Sequence, residues 1–253
     1  MDSPDADRIE AVARELRDAD AGVALTGAGV SAPSGVSPFR GEGGIWSEYD
    51  PEAFDMRRFR CDPGGFWAGW LDLRADLLDA DPEPNSAHRA LADLSTVGLL
   101  DAVVTQNIDG LHGDAGTDEI VELHGNARRA VCRDCGRAVP ADEARERADA
   151  GTLPPRCESC DGVLKPDAVL FGERLPMDAL ARAERLAEES DAMLVAGSSL
   201  RVEPAASLPN RAVRTGATVI LVNLDETPLD SRADHVFRED VTEVLPAIRD
   251  AME

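Results

Sequence analysis

Short apolar runs, four to six residues long, alternate with segments of helical periodicity along most of this chain. The runs cover residues 22–26, 102–105, 120–123, 192–196 and 218–223, and helices are predicted over residues 86–97, 178–189 and 242–252. A further helix is predicted near the start, where Ile9, Val12, Ala13 and Leu16 recur at helical spacing. Ser3 is its predicted N-cap and Pro4 its predicted first helical position. Strands this short and apolar are typical of a parallel sheet covered by helices on both faces. The chain is therefore predicted to have an α/β fold.

Two stretches interrupt this alternation, one from about residue 34 to residue 84 and the other from about residue 125 to residue 164. The first is rich in Gly, Pro and aromatic residues, among them Phe39, Trp46, Tyr49, Phe54, Phe66, Trp67 and Trp70. The second is charged and carries two pairs of cysteines. Both are predicted to be insertions into one sheet rather than separate domains in a row.

Four of the five cysteines form two Cys-x-x-Cys pairs, Cys132 with Cys135 and Cys157 with Cys160, separated by 21 residues. Four thiolates at this spacing suit a structural zinc ion, with no coordination position left for water. The alternatives are two disulfides or a redox pair, and disulfides are rare in cytoplasmic proteins. Cys61, the fifth cysteine, is expected to be a small buried apolar residue.

A glycine-rich turn follows the first predicted strand. Gly27-x-Gly29-x-x-Ala32 matches the dinucleotide-binding pattern, in which the glycines let the backbone approach a pyrophosphate at a helix N-terminus. The motif alone is also compatible with a simple structural turn. No acidic residue ends a second strand about 20 residues later, where a dehydrogenase contacts the ribose.

Polar residues follow several other predicted strands, where ligands of parallel sheets bind. The sequence Thr105-Gln-Asn-Ile-Asp109 offers two amides and a carboxylate for a carboxamide and ribose hydroxyls, or else an Asx-type turn. His124 follows another strand and is a candidate general base, although a lone histidine is often a core residue. Gly197-Ser-Ser-Leu200 and Asn223-Leu-Asp225 follow two further strands and could hold an adenosine, or be loops.

The charge balance is strongly acidic, with 49 Asp and Glu against 26 Lys and Arg, a net charge of −23. Lys165 is the only lysine. Such a surface repels nucleic-acid phosphates, so direct nucleic-acid binding is not expected, and its self-repulsion indicates adaptation to high salt. The N-terminus has neither a basic start nor an apolar stretch, and no run is long enough to cross a membrane, so a cytoplasmic location without membrane contact is expected.

Taken together, these residues resemble the sirtuin family of NAD-dependent protein lysine deacetylases. The matching segments occur in order through most of the chain: residues 27–31, 35–40, 105–109 and 122–125, the four cysteines, residues 171–173 and 197–200, and Asn223. Individually several are weak, but the ordered set with the intervening cysteine pairs is highly specific.

The resemblance implies a Rossmann-like NAD-binding large domain, formed by residues 1–34, 85–124 and 165–253. It also implies a small domain made of a helical and loop insertion, residues 35–84, and a zinc-ribbon insertion, residues 125–164. NAD is consumed in such enzymes as a co-substrate, together with one structural zinc ion. The acetyl group of acetyl-lysine is transferred to ADP-ribose, giving 2′-O-acetyl-ADP-ribose, nicotinamide and free lysine.

The resemblance also assigns site residues, with His124 as the general base and Asn107 as a second catalytic residue. The residues expected to bind NAD are Gly27, Ala28, Gly29, Ser31, Phe39, Arg40, Gln106, Asn107, Ile108, Asp109, Gly197, Ser198, Ser199, Asn223, Leu224, Asp225 and Val241. Those expected to bind an acetylated protein substrate, as an added strand, are Val169, Phe171, Gly172, Glu173, Leu200 and Val202. The expected zinc ligands are Cys132, Cys135, Cys157 and Cys160.

The chain departs from the family pattern at several positions. Ser37 replaces a usual proline, and Lys165 replaces a common arginine. Family members that remove succinyl or malonyl groups carry Tyr-x-x-Arg where this chain has Trp70 and Leu73, with Arg74 one position further on. Neutral acyl groups, acetyl above all, are therefore the expected substrates.

Three rival functions remain open at the level of sequence. Protein mono-ADP-ribosyl transfer would use the same site and the same first step. A noncatalytic NAD-sensing or zinc-ribbon interaction module is disfavoured because His124, Asn107 and Asp109 are all present. A hydride-transferring dehydrogenase is disfavoured because the acidic ribose contact is missing.

Overall fold

The computed structural model describes residues 4–40, 43–78 and 80–252. Its strands are β1 (Gly22–Thr26), β2 (Ala102–Thr105), β3 (Ile120–Glu122), β4 (Gly125–Cys132), β5 (Ala138–Pro140), β6 (Leu164–Ala168), β7 (Ala192–Ala196), β8 (Thr218–Val222) and β9 (His235–Phe237). Its α-helices are α1 (Ala6–Asp18), α2 (Met56–Cys61), α3 (Pro63–Leu78), α4 (Ser86–Thr96), α5 (Leu111–Asp114), α6 (Ala141–Asp149), α7 (Met177–Glu189), α8 (Leu208–Thr215) and α9 (Val241–Asp250). Within these described ranges, no helix has the length and apolar character needed to span a membrane.

Six strands form one parallel sheet in the order β3-β2-β1-β7-β8-β9. The chain moves outward from β1 to β3 on one side and from β7 to β9 on the other, so the order reverses between β1 and β7. In open α/β sheets, ligands bind beyond the carboxyl ends of the strands at such a reversal. The topology therefore places a binding crevice above Thr26 and Ala196, which are register partners.

The strands are apolar throughout because both faces of this sheet are covered. Along β1, Ala24 packs on one face with α1, α4 and α9, whereas Val23 and Leu25 pack on the other with α7 and α8. All five residues of β1 are buried. Continuous apolar runs, rather than alternation, are what a doubly covered sheet requires.

The ends of α1 and of the sheet differ from the sequence-based expectation. Ser3, predicted to cap α1, lies outside the described residues, and the helix cap is Asp5, whose side chain accepts from the amide of Asp7. The three-residue edge strand β9 was not predicted, because half-buried His235 and Val236 give it no apolar run.

The two insertions form one small domain around a shared core. Strands β5 and β4 of the second insertion and β6, which follows it, make an antiparallel sheet that packs with α6. In the first insertion, α2 and α3 supply aromatic side chains to the same core. The indole nitrogen of Trp67 donates to the carbonyl of Leu164 at 2.8 Å, joining the two insertions. The predicted fold class is confirmed: a Rossmann-like parallel sheet carries a small domain with a four-cysteine cluster.

The predicted domain limits stay a prediction, and the one at residue 165 falls inside β6. Cys61 differs from its expectation of burial. It ends α2 with an exposed side chain, because the apolar face of that helix is formed by Met56 and Phe59.

Candidate functional site

The loop after β1 is hydrogen-bonded, backbone to backbone, to the end of β7 and the loop after it, at the point where the strand order of the sheet reverses. The amide of Gly27 donates to the carbonyl of Ala196 at 3.1 Å, and that of Gly29 donates to the carbonyl of Gly197 at 2.8 Å. Gly197 has a φ of +60°, and a Cβ on it would lie 2.3 Å from the nitrogen of Val30. These positions require glycine because no side chain fits between the two loops.

The amides after β2 join these loops together. Asn107 Nδ2 donates to the carbonyl of Gly27 at 3.1 Å and to Ser31 Oγ at 3.0 Å. Gln106 Nε2 donates to Ser198 Oγ at 2.9 Å. The ends of β1, β2 and β7 are therefore held in one hydrogen-bonded arrangement, with Asn107 buried at its centre.

His124, which follows β3, has a defined tautomer. Its Nδ1 lies 2.9 Å from the carbonyl oxygen of Gln106. A carbonyl only accepts hydrogen bonds, so Nδ1 carries the proton and Nε2 presents a lone pair. Burial lowers the pKa of His124, and the nearby charge of Arg40 lowers it further. The hydrogen bond to Gln106 opposes this shift but does not cancel it. The imidazole is therefore neutral at pH 7 and suited to accept a proton at Nε2.

Asp109 is a buried carboxyl at the end of the same loop as Asn107. Its Oδ1 accepts from the amide of Leu111 at 2.9 Å, and burial raises its pKa. Arg128 Nε donates to its backbone carbonyl at 2.7 Å, which fixes the turn. The carboxyl is thus positioned as a hydrogen-bond acceptor within a largely apolar environment.

A cleft of about 320 Å³ lies between the two domains. The large domain and both insertions contribute to its lining, which comprises Ala28, Ser31, Val36, Ser37, Phe39, Leu77, Leu78, Asn107, Ile108, Asp109 and Ala127. The cleft therefore brings together six of the predicted NAD-binding residues: Ala28, Ser31, Phe39, Asn107, Ile108 and Asp109. Apolar walls around a few polar groups are typical of small-molecule sites.

Two histidines behind this cleft were not singled out from the sequence. The rings of His88 on α4 and His112 on α5 lie 4.9 Å apart, edge to face. His88 Nε2 lies 3.3 Å from Ser31 Oγ, and His112 Nε2 lies 2.8 Å from Thr26 Oγ1. Burial lowers the pKa of His88 to about 4 and that of His112 to about 3. Neither residue follows a strand, so no sequence signal connected them to the site.

The predicted adenosine-side residues lie at the carboxyl end of β8 and the start of α9. Asn223 Nδ2 donates to the carbonyl of Asp225 at 2.8 Å, and Leu224 is exposed. Val241 opens α9, whose N-cap Asp240 accepts from the amide of Thr242. Helix α9 packs against the turn at Ala28–Val30, which follows β1.

The segment of residues 169–173 is fixed from both domains. The amide of Val169 donates to the carbonyl of His124 at 2.9 Å, and that of Phe171 donates to the carbonyl of Phe54 at 3.1 Å. Glu173 turns its carboxylate inward, where Oε2 accepts from the amide of Leu170 at 3.1 Å and pairs with buried Lys165 Nζ at 2.9 Å.

The second predicted peptide segment follows β7. Ser199 is exposed, Val202 is half-buried, and Leu200 is buried with a φ of +52°. Its amide approaches Ser198 Oγ at 3.4 Å. A leucine in the left-handed region is uncommon and marks a tightly constrained loop beside the crevice.

The four paired cysteines meet at the tip of the zinc-ribbon insertion. Their Sγ atoms all lie within 4.8 Å of one another, with Cys132 and Cys160 at 3.5 Å and Cys135 and Cys157 at 3.8 Å. Tetrahedral zinc with Zn–S bonds of about 2.3 Å requires sulfurs about 3.8 Å apart. The donor set therefore fits a closed structural zinc site.

Comparison with known proteins places these features in a family. A sequence model of the Sir2 family matches residues 27–204. An NAD-dependent protein deacetylase of Haloarcula marismortui is 54% identical over 250 residues, covering 98% of this chain and 96% of that protein. One of Saccharolobus solfataricus is 44% identical over 239 residues, covering 94% and 95%.

Solved Sir2 structures share the fold. A Sir2 histidine variant with a deacetylated p53 peptide and 3′-O-acetyl ADP ribose superposes with a TM-score of 0.86 at 36% identity, covering 96% of this chain and 98% of that one. Sir2 with a p53 peptide and NAD+ gives a TM-score of 0.84 at 36% identity, covering 96% and 97%. Because the family match covers most of the chain and the relatives align over nearly its whole length, this chain belongs to the Sir2 family.

Proposed function

We propose that this chain cleaves NAD and transfers the acetyl group of a protein acetyl-lysine to ADP-ribose, with His124 as the general base. Family membership and the deacetylase names of the relatives confirm the predicted class of activity, NAD-dependent protein deacetylation. The observation that carries the assignment of roles is the tautomer of His124. Its neutral ring leaves Nε2 as an acceptor, and the bond from Nδ1 to the carbonyl of Gln106 holds it next to Asn107, which lines the cleft.

The first chemical step forms a bond between the acetyl oxygen of the substrate and C1′ of the nicotinamide ribose. The glycosidic C1′–N bond breaks with both electrons, and nicotinamide leaves. Asp109 would accept a hydrogen bond from the carboxamide, between Ala28 and Ile108 of the same cleft. Phe39, which lines the same cleft, would keep water away from C1′.

In the second stage, His124 Nε2 would remove a proton from the ribose hydroxyls. The 2′-oxygen then attacks the carbon of the linked amidate. One water completes the reaction, which gives free lysine and 2′-O-acetyl-ADP-ribose. Gln106 and Asn107, fixed to Ser198 and Ser31, would position this ribose, and exposed Arg40 would face the phosphates. The loops at Gly27, Gly29, Gly197 and residues 223–225 would hold the remainder of NAD.

The substrate is proposed to be a neutral acyl-lysine in an extended peptide. Trp70 and Leu73 are buried in the small-domain core, so neither presents a polar group to an acyl chain. The side chain of Arg74 already has partners in the small domain. Its Nη2 pairs with Asp142 at 3.0 Å, and its Nε approaches the carbonyl of Ala127 at 3.4 Å. An ammonium without a partner would be costly to bury in the channel, which favours acetyl-lysine over lysine.

Peptide binding is proposed to add a strand between residues 169–173 and 199–202. Sir2 structures solved with p53 peptides support this class of partner. Main-chain pairing of this kind recognises an extended backbone and gives little sequence selectivity.

We further propose that the protein works in the cytoplasm of a salt-adapted cell. The four thiols of the zinc site must stay reduced, which a cytoplasm ensures. A net charge of −23 with a single lysine destabilises the compact state by self-repulsion unless salt screens it. We expect the melting temperature to rise between millimolar and molar KCl, and equal values would overturn the salt adaptation.

The decisive experiment measures loss of acetyl from an acetyl-lysine peptide in molar KCl, with and without NAD. We expect NAD-dependent deacetylation with formation of 2′-O-acetyl-ADP-ribose, and at least about a hundredfold loss in His124→Ala, the smallest effect of removing a general base. The matched control is His235→Ala. This substitution removes a histidine of the edge strand β9, whose side chain pairs with Glu15 of α1.

Each outcome bears on a different function. Equal activity of His124→Ala and the unsubstituted enzyme would overturn the role of His124. ADP-ribose attached to protein, without 2′-O-acetyl-ADP-ribose, would favour ADP-ribosyl transfer. NAD binding without any turnover would favour a sensor.

A further inference from the structure

Trp46 lies between two aromatic side chains that belong to different parts of the site. Its ring centroid is 5.5 Å from that of Phe39 and 5.3 Å from that of Phe171, with interplanar angles of 31° and 60°. Both distances are within the range of favourable aromatic pairs. One half-buried indole therefore contacts a wall of the cleft and the segment of residues 169–173 at the same time.

The backbone reinforces both contacts. The amide of Trp46 donates to the carbonyl of Phe39 at 3.2 Å, so these two residues are joined by main chain as well as by rings. On the other side, the carbonyl of Phe171 accepts from the amide of Met56 at 2.9 Å. Phe54, whose carbonyl binds the Phe171 amide, also packs on Trp46 at 5.8 Å. Ring contacts therefore link Trp46 to both phenylalanines, and a main-chain bond links it to Phe39 as well.

The two partners face different ligands in the proposed function, on which this inference rests. Phe39 lines the cleft with Asn107 and Asp109, where the nicotinamide ribose would lie. Phe171 is two residues beyond Val169, which is bonded to His124, and would line the acyl-lysine channel. Both phenylalanines are only partly buried, so a bound ligand would complete their packing.

We infer that Trp46 is a positioning residue that couples the binding of NAD to the binding of acyl-lysine. An acyl-lysine that fixes Phe171 also fixes Trp46 and so holds Phe39 against the cleft, ready for the ribose. NAD fixes Phe39 and prepares the channel in the same way, because coupling between two sites is reciprocal. A purely structural role would instead lower folding stability and leave the two affinities independent.

The test is calorimetric titration of an acetyl-lysine peptide in molar KCl, alone and with a saturating carbocyclic NAD analogue that cannot be cleaved. We expect the analogue to tighten peptide binding by about fivefold or more, the lower end of usual couplings. In Trp46→Leu, we expect this factor to fall to about one, while each ligand still binds separately. The reverse titration of the analogue should give the same factors.

Tyr49→Leu is the matched control. Tyr49 packs on Phe54 at 6.0 Å, within the same aromatic cluster, and no ring contact between it and Phe39 or Phe171 is found among the described residues. It should keep the coupling factor of the unsubstituted protein.

The outcomes separate this inference from the proposed function. Equal coupling in Trp46→Leu and the unsubstituted protein would overturn the inference, as would equal loss in Tyr49→Leu. Independent binding of both ligands to the unsubstituted protein would overturn the coupling alone. If that protein binds neither ligand while folded, the proposed function itself fails.

Discussion

The two domains are stabilised in different ways. The large domain buries apolar side chains on both faces of a six-stranded sheet, and each face has its own core. The small domain has a three-stranded sheet, an aromatic cluster and four cysteine sulfurs within 4.8 Å of one another. The comparison teaches that the large domain depends on burial against both faces of its sheet, whereas the small domain combines an apolar core of its own with a cluster of metal-binding side chains.

Loss of the metal site should have the largest effect and should be confined to the small domain. Cys157→Ser removes one of four thiolate ligands, and structural zinc contributes about 10–16 kcal/mol of binding free energy in small zinc domains. We expect zinc content and deacetylation to fall below detection while the parallel sheet stays folded. Metal analysis and hydrogen exchange of residues in β1 and β4 would measure both.

Cys61→Ser is the control for that substitution, because it removes an exposed thiol outside the cluster. It should retain zinc and activity. Exchange protection lost equally from β1 and β4 in Cys157→Ser would show that the two domains do not differ in the way described.

Acid should lower the stability of the large domain through its buried histidine pair. We expect this effect to be smaller than loss of the metal site. Burial holds the pKa of His88 near 4 and that of His112 near 3, whereas unfolded histidine titrates near about 6.5. The unfolded chain therefore takes up protons first. The contribution of this neutral pair to the free energy of unfolding is fully present above about pH 6.5 and is lost progressively as pH falls towards 4.

Thermal unfolding between about pH 7 and pH 5, in the same molar KCl, would measure this loss. In His112→Gln, one of the two groups is absent, so its melting temperature should depend less steeply on pH. An unchanged or steeper slope would contradict the assignment of acid sensitivity to the pair.

The smallest effect on stability is expected from removing a surface ion pair of the small domain. Asp142 is 63% exposed, and its pairing with Arg74 should contribute less than about 1 kcal/mol. Asp142→Ala should lower the melting temperature slightly and leave desuccinylation undetectable, since Arg74 Nε still approaches the carbonyl of Ala127. Activity on a succinyl-lysine peptide would show that Arg74 can serve the channel.

The sequence predicted the large domain well because burial on two faces leaves a simple signal. The runs at residues 22–26, 102–105 and 192–196 coincide with β1, β2 and β7, and two others end one residue too late. The helices of the first insertion were not delimited. In α3, Gly64, Gly65 and Gly69 lower helix propensity, and burial of its aromatic side chains overrides that preference.

In the site, too, features with a local sequence signal could be predicted and features set by packing could not. Residues that follow parallel strands, such as Asn107, His124 and Ser198, could be predicted to converge because those strand ends share one edge. The approach of α4 to α5, which pairs His88 with His112, depends on packing that no local pattern encodes. The contact of Trp46 with Phe171 was missed for the same reason, since the two residues are 125 positions apart in the chain.

The environment of Lys165 has a consequence for the protein's own chemical modification. The ammonium of this only lysine is buried, and it donates to the carbonyls of Pro166 and Ala168 as well as pairing with Glu173. Acyl donors that react spontaneously with amines must reach the nitrogen, and burial of this side chain keeps them away from it. The folded protein therefore exposes no lysine of its own to the modification it is proposed to remove, and cannot accumulate it on a side-chain amine or compete with its substrates.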